Sequence, residues 1–151
     1  MIKPTFITWI LIIFGALLIF LPMLYAQLLM ARRPHSQKTK DLLIGKGADW
    51  RDTTHFRMSL GAAWADLIVW LPLMGAGSIG VLLGQVWGYA LWAIAGAISV
   101  YISVILWFSE REYVYPACGP LVYYTYYWGF FVYWGLAAVV YAVLRLTEVS
   151  F

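Results

Sequence analysis

Residues 32–57 read RRPHSQKTKDLLIGKGADWRDTTHFR and hold ten of the seventeen charged residues of this 151-residue chain. The sequence around this loop is almost free of charge, since no Asp, Glu, Lys or Arg occurs in 4–31, 67–109 or 113–144. A bilayer core of roughly 30 Å takes about 20 apolar residues of helix. The first and last uncharged stretches can each hold one span, and the middle one joins the residues from Met58 onward to hold two. The sequence therefore predicts four transmembrane helices.

Composition supports the same class of protein. Hydrophobic residues make up 64% of the chain and charged residues 11%, against roughly 45–50% and 25% in an average soluble domain. The net charge of +3 does not indicate nucleic-acid binding, because the basic residues are concentrated in one loop beside apolar spans. We predict an all-α polytopic membrane protein, a single integral domain over 1–151 with an antiparallel bundle of four helices. The predicted spans are about 7–31, 58–84, 88–108 and 120–144.

The basic loop also predicts the orientation in the membrane. Lys and Arg accumulate in short cytoplasmic loops, and residues 32–57 carry seven of them, whereas the turn at 84–88 carries none. We expect this loop and the connection at 110–120 to be cytoplasmic, with both termini on the opposite side. The apolar run at 41–44 and the nearby Trp50 further suggest a segment that lies on the membrane surface among lipid headgroups.

Two features predict how the spans bend and pack. Pro72 lies in the middle of the second span, where it removes a backbone hydrogen bond and predicts a bend at Leu71–Pro72. Small residues at helical spacing allow helices to approach closely in lipid. They recur as Gly80 with Gly84, and as Ala95 with Ser99 and Ser103.

The fourth span is unusually aromatic, because eight of the eleven tyrosines lie between Tyr113 and Tyr141. Some of these rings suit the headgroup level of a membrane, but the cluster extends further along the helix than one interface can explain. Packing within the chain, a surface for a partner helix, and a site for a flat hydrophobic molecule such as a quinone or pigment are the three alternatives. The candidate ligand- or partner-binding residues are Tyr123, Tyr126, Tyr127, Phe130 and Trp134.

Asp66 is the one charged residue inside a predicted span. Charge in the membrane is costly and usually functional. Residues at a similar depth on other spans include Tyr101 and Tyr127, and Gln27 lies slightly shallower on the first span. We expect Asp66 to form an intramembrane polar node with Tyr101, with Thr125 or Tyr127, and with Gln27, in a structural, proton- or cation-handling, or ligand-anchoring role.

The remaining polar residues provide weaker candidates. Glu110, Arg111 and Glu112 fall where the third span ends and are interface charges with a solvated or docking role. Cys118 is the only cysteine, which excludes an internal disulfide and a paired-thiol mechanism. The histidines lie in the basic loop with no zinc-ligand spacing. The sequence predicts no metal site and requires no cofactor.

These observations rank three functions. The first is a non-catalytic membrane subunit or accessory protein that packs through its aromatic fourth helix against other membrane proteins or a second copy, in contact with lipid, quinone or pigment. The second is a small proton- or cation-coupled transporter or channel that uses Asp66. The third is an enzyme acting on a lipid or quinone, with Asp66, Glu110 and Glu112 as its acid–base groups.

Overall fold

The structure is a computed structural model that describes residues 2–109, 120–122, 124–125 and 128–147. The elements in these residues are all helical. Four helices are long and apolar enough to cross a membrane, and a short helix lies in the basic loop. In chain order they are α1 (Phe6–Arg32), α2 (Gln37–Leu43), α3 (Thr53–Leu82), α4 (Val86–Ser109) and α5 (Gly129–Leu146). The predicted four-helix membrane architecture is confirmed.

The helix ends differ from the predicted spans by a few residues. α3 begins at Thr53, before the predicted span, because the Asp52 carboxylate accepts a hydrogen bond from the backbone N–H of His55 and caps the helix. The fourth span contains a separate helical turn, Pro120–Val122, before the longer helix.

Both proline-containing spans remain helical through the proline. A π-helical turn, Asp66–Trp70, precedes Pro72, and the N–H of Leu71 donates to the carbonyl of Asp66 five residues back. The irregularity expected at Pro72 therefore takes the form of a π turn, which widens the helix locally and is common at functional sites. α1 contains an equivalent turn, Ala16–Phe20, just before Pro22.

Glycines permit the closest helix contacts. A Cβ at Gly96 on α4 would lie 2.6 Å from the carbonyl oxygen of Gly135 on α5, so the two backbones are in direct contact. Gly80 of α3 similarly lies against Gly88 of α4, where a Cβ would approach the Gly88 Cα to 2.6 Å. Gly84 does not share this packing role with Gly80, contrary to the expectation. It forms the turn between α3 and α4 with a φ of +67°, a conformation that favours glycine.

The small-residue stripe on α4 is buried within the chain, as its spacing predicts. Ala95, Ser99 and Ser103 are at most 1% exposed. The Ser99 hydroxyl donates to the Phe131 carbonyl at 2.9 Å, which ties α4 to α5.

Tryptophan side chains add hydrogen bonds between neighbouring helices. The indole of Trp70 on α3 donates to the Ala95 carbonyl on α4 at 3.0 Å. The indole of Trp134 on α5 donates to the Leu11 carbonyl on α1 at 3.1 Å. Each of these rings is at most 2% exposed, so its polar N–H has a partner where lipid offers none.

Gly96→Ala should destabilise the fold despite the better helix propensity of alanine. Alanine gains roughly 1 kcal/mol over glycine in a helix interior, but the new methyl group would meet the backbone of α5, which cannot move without separating the helices. Gly61→Ala is the matched control, since a Cβ there meets nothing within 4 Å. Thermal unfolding in one detergent should show a lower Tm for Gly96→Ala and an unchanged or higher Tm for Gly61→Ala. Equal Tm values for the two variants would contradict the close contact between α4 and α5.

Candidate functional site

A cavity lies between the transmembrane helices at the end of the bundle where the basic loop connects α1 to α3. Its volume is about 220 Å³, and residues of α1, α3, α4 and α5 and of the loop line it. We call it the loop-side cavity. Most of its lining is apolar, including Met23, Ile102 and Leu106. Apolar walls with a few polar groups are typical of sites for small ligands.

The polar group at the centre of this cavity is a pair formed by Gln27 and Asp66. The side-chain amide of Gln27 donates to Asp66 Oδ2 at 2.8 Å and so joins α1 to α3. Gln27 is 7% exposed and Asp66 is partly buried. Asp66 is also the first residue of the π turn in α3, so its carboxylate sits where the helix is locally widened.

The other two residues expected in this polar node lie elsewhere. Tyr101 is 68% exposed, and Thr125 is exposed as well. Neither lines the loop-side cavity. The expectation for Tyr101 and Thr125 is wrong because counting residues from the membrane surface gives the depth of a side chain but not the direction in which it points around its helix.

Aromatic rings form the inner wall of the cavity. The ring of Trp70 is 2% exposed and lies 5.8 Å, centroid to centroid, from the ring of Phe131 on α5. The hydrogen bond from the indole N–H of Trp70 to the Ala95 carbonyl of α4 holds the ring in place. The cavity therefore has a rigid aromatic face near the carboxylate of Asp66.

The basic loop lines the cavity at its outer end. Leu42, Leu43 and Ile44 at the end of α2 line the cavity, and Ile44 is 4% exposed. Trp50 lies beside them, and its indole donates to the Pro34 carbonyl at 3.1 Å. The apolar run in the loop thus packs over the bundle rather than only against lipid headgroups.

Carboxylates hold this covering loop together. Asp41 accepts from the Gln37 amide at 2.7 Å and from the Gly47 N–H at 2.9 Å, and these bonds lower the pKa of its carboxyl group, that of Gln37 most strongly. The Lys40 ammonium lies 2.5 Å from Asp49 and is the main cause of the lowered pKa of Asp49. The capping bond from His55 to Asp52 lowers the pKa of that carboxyl group in the same way.

The described part of the aromatic span packs mainly inside the chain. Trp134 is 1% exposed and its indole donates to α1, so this residue follows the first of the three alternatives, packing within the chain. Phe130 packs edge-on against Phe14 of α1 at 5.3 Å between centroids. The physical reason is that α5 turns these rings toward α1 and α4.

Several predicted residues lie outside the described ones. They are Tyr123, Tyr126, Tyr127, Glu110, Arg111, Glu112 and Cys118. Among the described residues, no group of three His, Cys, Asp or Glu side chains is placed to hold a metal ion.

Sequence reasoning missed most of the cavity lining on α3. The side chains of His55, Ser59, Ala62, Asp66 and Trp70 all face the cavity. They recur every three or four positions, which puts them on one face of a helix. The polar members of this stripe, His55, Ser59 and Asp66, share one face of a largely apolar helix and are the signal that could have identified it.

Comparison with known proteins gives this site no precedent. No protein-family model, no curated protein and no solved structure matches the chain. The geometry alone therefore carries the functional argument.

Acid should loosen the loop that covers the cavity. The pKa values of Asp41, Asp49 and Asp52 are lower in the folded loop than their ordinary value of 3.8. Their contribution to stability is therefore present above that value and is lost as the pH falls through the lowered pKa values. A nitroxide spin label at Leu42 should be immobile at neutral pH and become mobile below about pH 3.8, as measured by electron paramagnetic resonance. Equal mobility of this label across that range would contradict the prediction. A label at the exposed Tyr101 of α4, outside the loop, serves as the control that should not respond.

Proposed function

We propose that this chain is a non-catalytic integral membrane protein that binds a small lipophilic molecule in the loop-side cavity. The observation that carries the proposal is the combination of an apolar volume of about 220 Å³ with one hydrogen-bonded carboxylate on its wall. An engineered apolar cavity of about 150 Å³ accommodates benzene. The cavity can therefore enclose a ring or a short chain, with Asp66 orienting its polar end.

Binding is a better explanation than catalysis for this lining. General acid–base chemistry needs a group placed within hydrogen-bond reach of the reacting atoms, often together with a second group of a different protonation state. Among the described lining residues, Asp66 is the single carboxylate, and its nearest polar partner is the amide of Gln27. An amide positions a carboxylate but does not exchange protons with it under ordinary conditions. This favours a binding role over the enzyme alternative.

Filling the cavity should remove a co-purifying ligand. Ala62 lines the cavity one helical turn before Asp66, so Ala62→Phe would place a ring in the ligand volume. Ala97→Phe is the matched control on an exposed position of α4. Proteins purified from native membranes in mild detergent would be extracted and compared by mass spectrometry. We expect a lipophilic compound to co-purify with the original protein and with Ala97→Phe. Its amount should fall about tenfold or more in Ala62→Phe, and a tenfold fall corresponds to about 1.4 kcal/mol of binding free energy. The same compounds in equal amounts in all three proteins would refute the binding role.

The orientation proposed for the molecule places the loop-side cavity near the cytoplasm. The seven basic residues of 32–57 support this orientation by the positive-inside rule. Both termini would then lie on the opposite side of the membrane, together with the turn between α3 and α4.

Cysteine labelling can test this orientation. In a background without Cys118, single cysteines at Lys38 in α2 and at Gln85 in the α3–α4 turn should react with a membrane-impermeant maleimide from opposite sides. The cysteine at position 38 should be labelled only after the cells are permeabilised, because an intact membrane keeps the reagent out of the cytoplasm. Labelling of Lys38 in intact cells would reverse the proposed orientation.

The second candidate function is that of a subunit in a larger assembly. The interface proposed for it lies on α3 and not on the aromatic fourth span. Gly61 and Ala65 form a small-residue pair one helical turn apart on α3, and both are exposed. A Cβ at Gly61 meets no atom within 4 Å. Such a pair lets a neighbouring helix approach closely in lipid.

The subunit role predicts that Gly61→Leu separates the protein from its partners. A leucine would keep the partner backbone at a distance, and a loss of about 1 kcal/mol or more would lower the association constant roughly fivefold or more. Ala97→Leu, on an exposed face of α4, is the control. Chemical cross-linking in native membranes followed by mass spectrometry measures the loss. Unchanged cross-links in Gly61→Leu would exclude this face as the interface.

A further inference from the structure

The carboxylate of Asp66 has only part of its hydrogen-bonding capacity occupied. A carboxylate has two oxygens that can accept about four hydrogen bonds. Oδ2 accepts one from Gln27, while no described residue donates to Oδ1. Because Asp66 lines the loop-side cavity, an oxygen without a protein donor is available to a molecule inside it.

The described residues of the cavity wall supply no lysine or arginine to pair with this carboxylate. Among these residues, His55 is the one other titratable side chain. His55 lies at the outer end of α3, eleven positions or about three helical turns before Asp66. A carboxylate in an apolar setting is costly unless it is paired, and a single amide donor offsets only part of that cost. The site therefore favours a partner that carries a positive charge.

The aromatic face of the cavity suits the same kind of partner. Cations are attracted to the faces of tryptophan and phenylalanine rings within about 6 Å. Trp70 and Phe131 line the cavity, and Trp70 follows Asp66 by one helical turn on the same face of α3. The apolar remainder of the cavity, from Met23 to Leu106, can hold a hydrocarbon body.

We propose that the loop-side cavity binds lipophilic monocations, specifically protonated amines with a compact aromatic or aliphatic body. The ammonium group donates to Asp66 Oδ1 beside Trp70, and the body lies against Phe131 and Ile102. This inference rests on the binding function proposed above and specifies its ligand class. It disfavours a neutral quinone or pigment at this position, because such a molecule would leave the carboxylate without a counter-charge.

A pair of probes with the same carbon skeleton tests the charge requirement. Phenylbutylamine is a cation at neutral pH, whereas phenylbutanol is neutral but can still donate one hydrogen bond. Their binding would be measured by isothermal titration calorimetry to the full chain in nanodiscs of zwitterionic phosphatidylcholine at pH 7. We expect the original protein to bind the amine about tenfold to a hundredfold more tightly than the alcohol, as charged hydrogen bonds contribute more than neutral ones.

Two variants separate the cavity carboxylate from general charge effects. Asp66→Asn keeps the shape and an acceptor for Gln27 but removes the charge, so it should abolish the preference for the amine while the affinity for the alcohol stays within about twofold. Glu148→Gln is the matched control. It removes the charge of a carboxylate that follows α5 in the sequence and that belongs neither to the loop nor to the described lining of the cavity. The preference for the amine should persist in Glu148→Gln.

The outcomes divide clearly. Equal binding of amine and alcohol to the original protein, with both lost in Ala62→Phe, would overturn the cation proposal and leave the binding function intact. A preference for the amine that survives Asp66→Asn would also overturn it. No saturable binding of either probe would overturn it too, while the co-purification experiment tests the binding function independently of these probes.

If Asp66→Asn does not fold, Ala62→Phe with the original protein still decides the proposal, since loss of the amine preference on filling the cavity supports it and retention contradicts it.

Discussion

The close contact of α4 with its two neighbours supports the rest of the bundle. In lipid, apolar side chains gain nothing by leaving one hydrocarbon environment for another, so van der Waals contact and hydrogen bonds must hold the helices together. α4 meets α3 where Gly80 faces Gly88, and it meets α5 where Gly96 faces Gly135. These glycines bring the backbones near enough for a serine hydroxyl of α4 to reach a carbonyl of α5. The same proximity lets the indole of Trp70 reach α4.

This packing also explains the location of the loop-side cavity. The glycine contact of α3 with α4 lies beside the turn that joins them, at the other end of α3 from the basic loop. At the loop end, α4 presents larger side chains such as Ile102 and Leu106, and these line the cavity. Asp66, the first residue of the π turn in α3, lines the same cavity. The cavity is thus bounded by a rigid aromatic wall on the inside and by the loop with its carboxylate-dependent hydrogen bonds on the outside.

Part of this site could be predicted from the sequence. A single charge within a span indicated Asp66, and Gln27 was expected beside it as a polar residue slightly shallower on the first span; the structure brings the two together. Depth also indicated Tyr101, which points away from the bundle. For Trp134 the sequence left open a surface for a partner or ligand and packing within the chain, and the structure encloses it in its own chain. In each case, the direction of a side chain depends on the rotation of its helix, which neighbouring helices set by packing.

The sequence by itself determined the class of the protein, the number of its spans and the length of its charged loop. These properties follow from the thickness of the bilayer and from the cost of placing charge within it, and both act on each segment separately. Only the tertiary structure decided that Phe130 and Trp134 of α5 pack against other helices of the chain, that the loop covers a cavity, and that Asp66 lines this cavity with its Oδ2 bonded to Gln27. These properties depend on which faces of different helices meet. Different rotations of an apolar helix about its axis have nearly equal free energy in lipid. Specific contacts such as that of Gly96 with Gly135 select one of them.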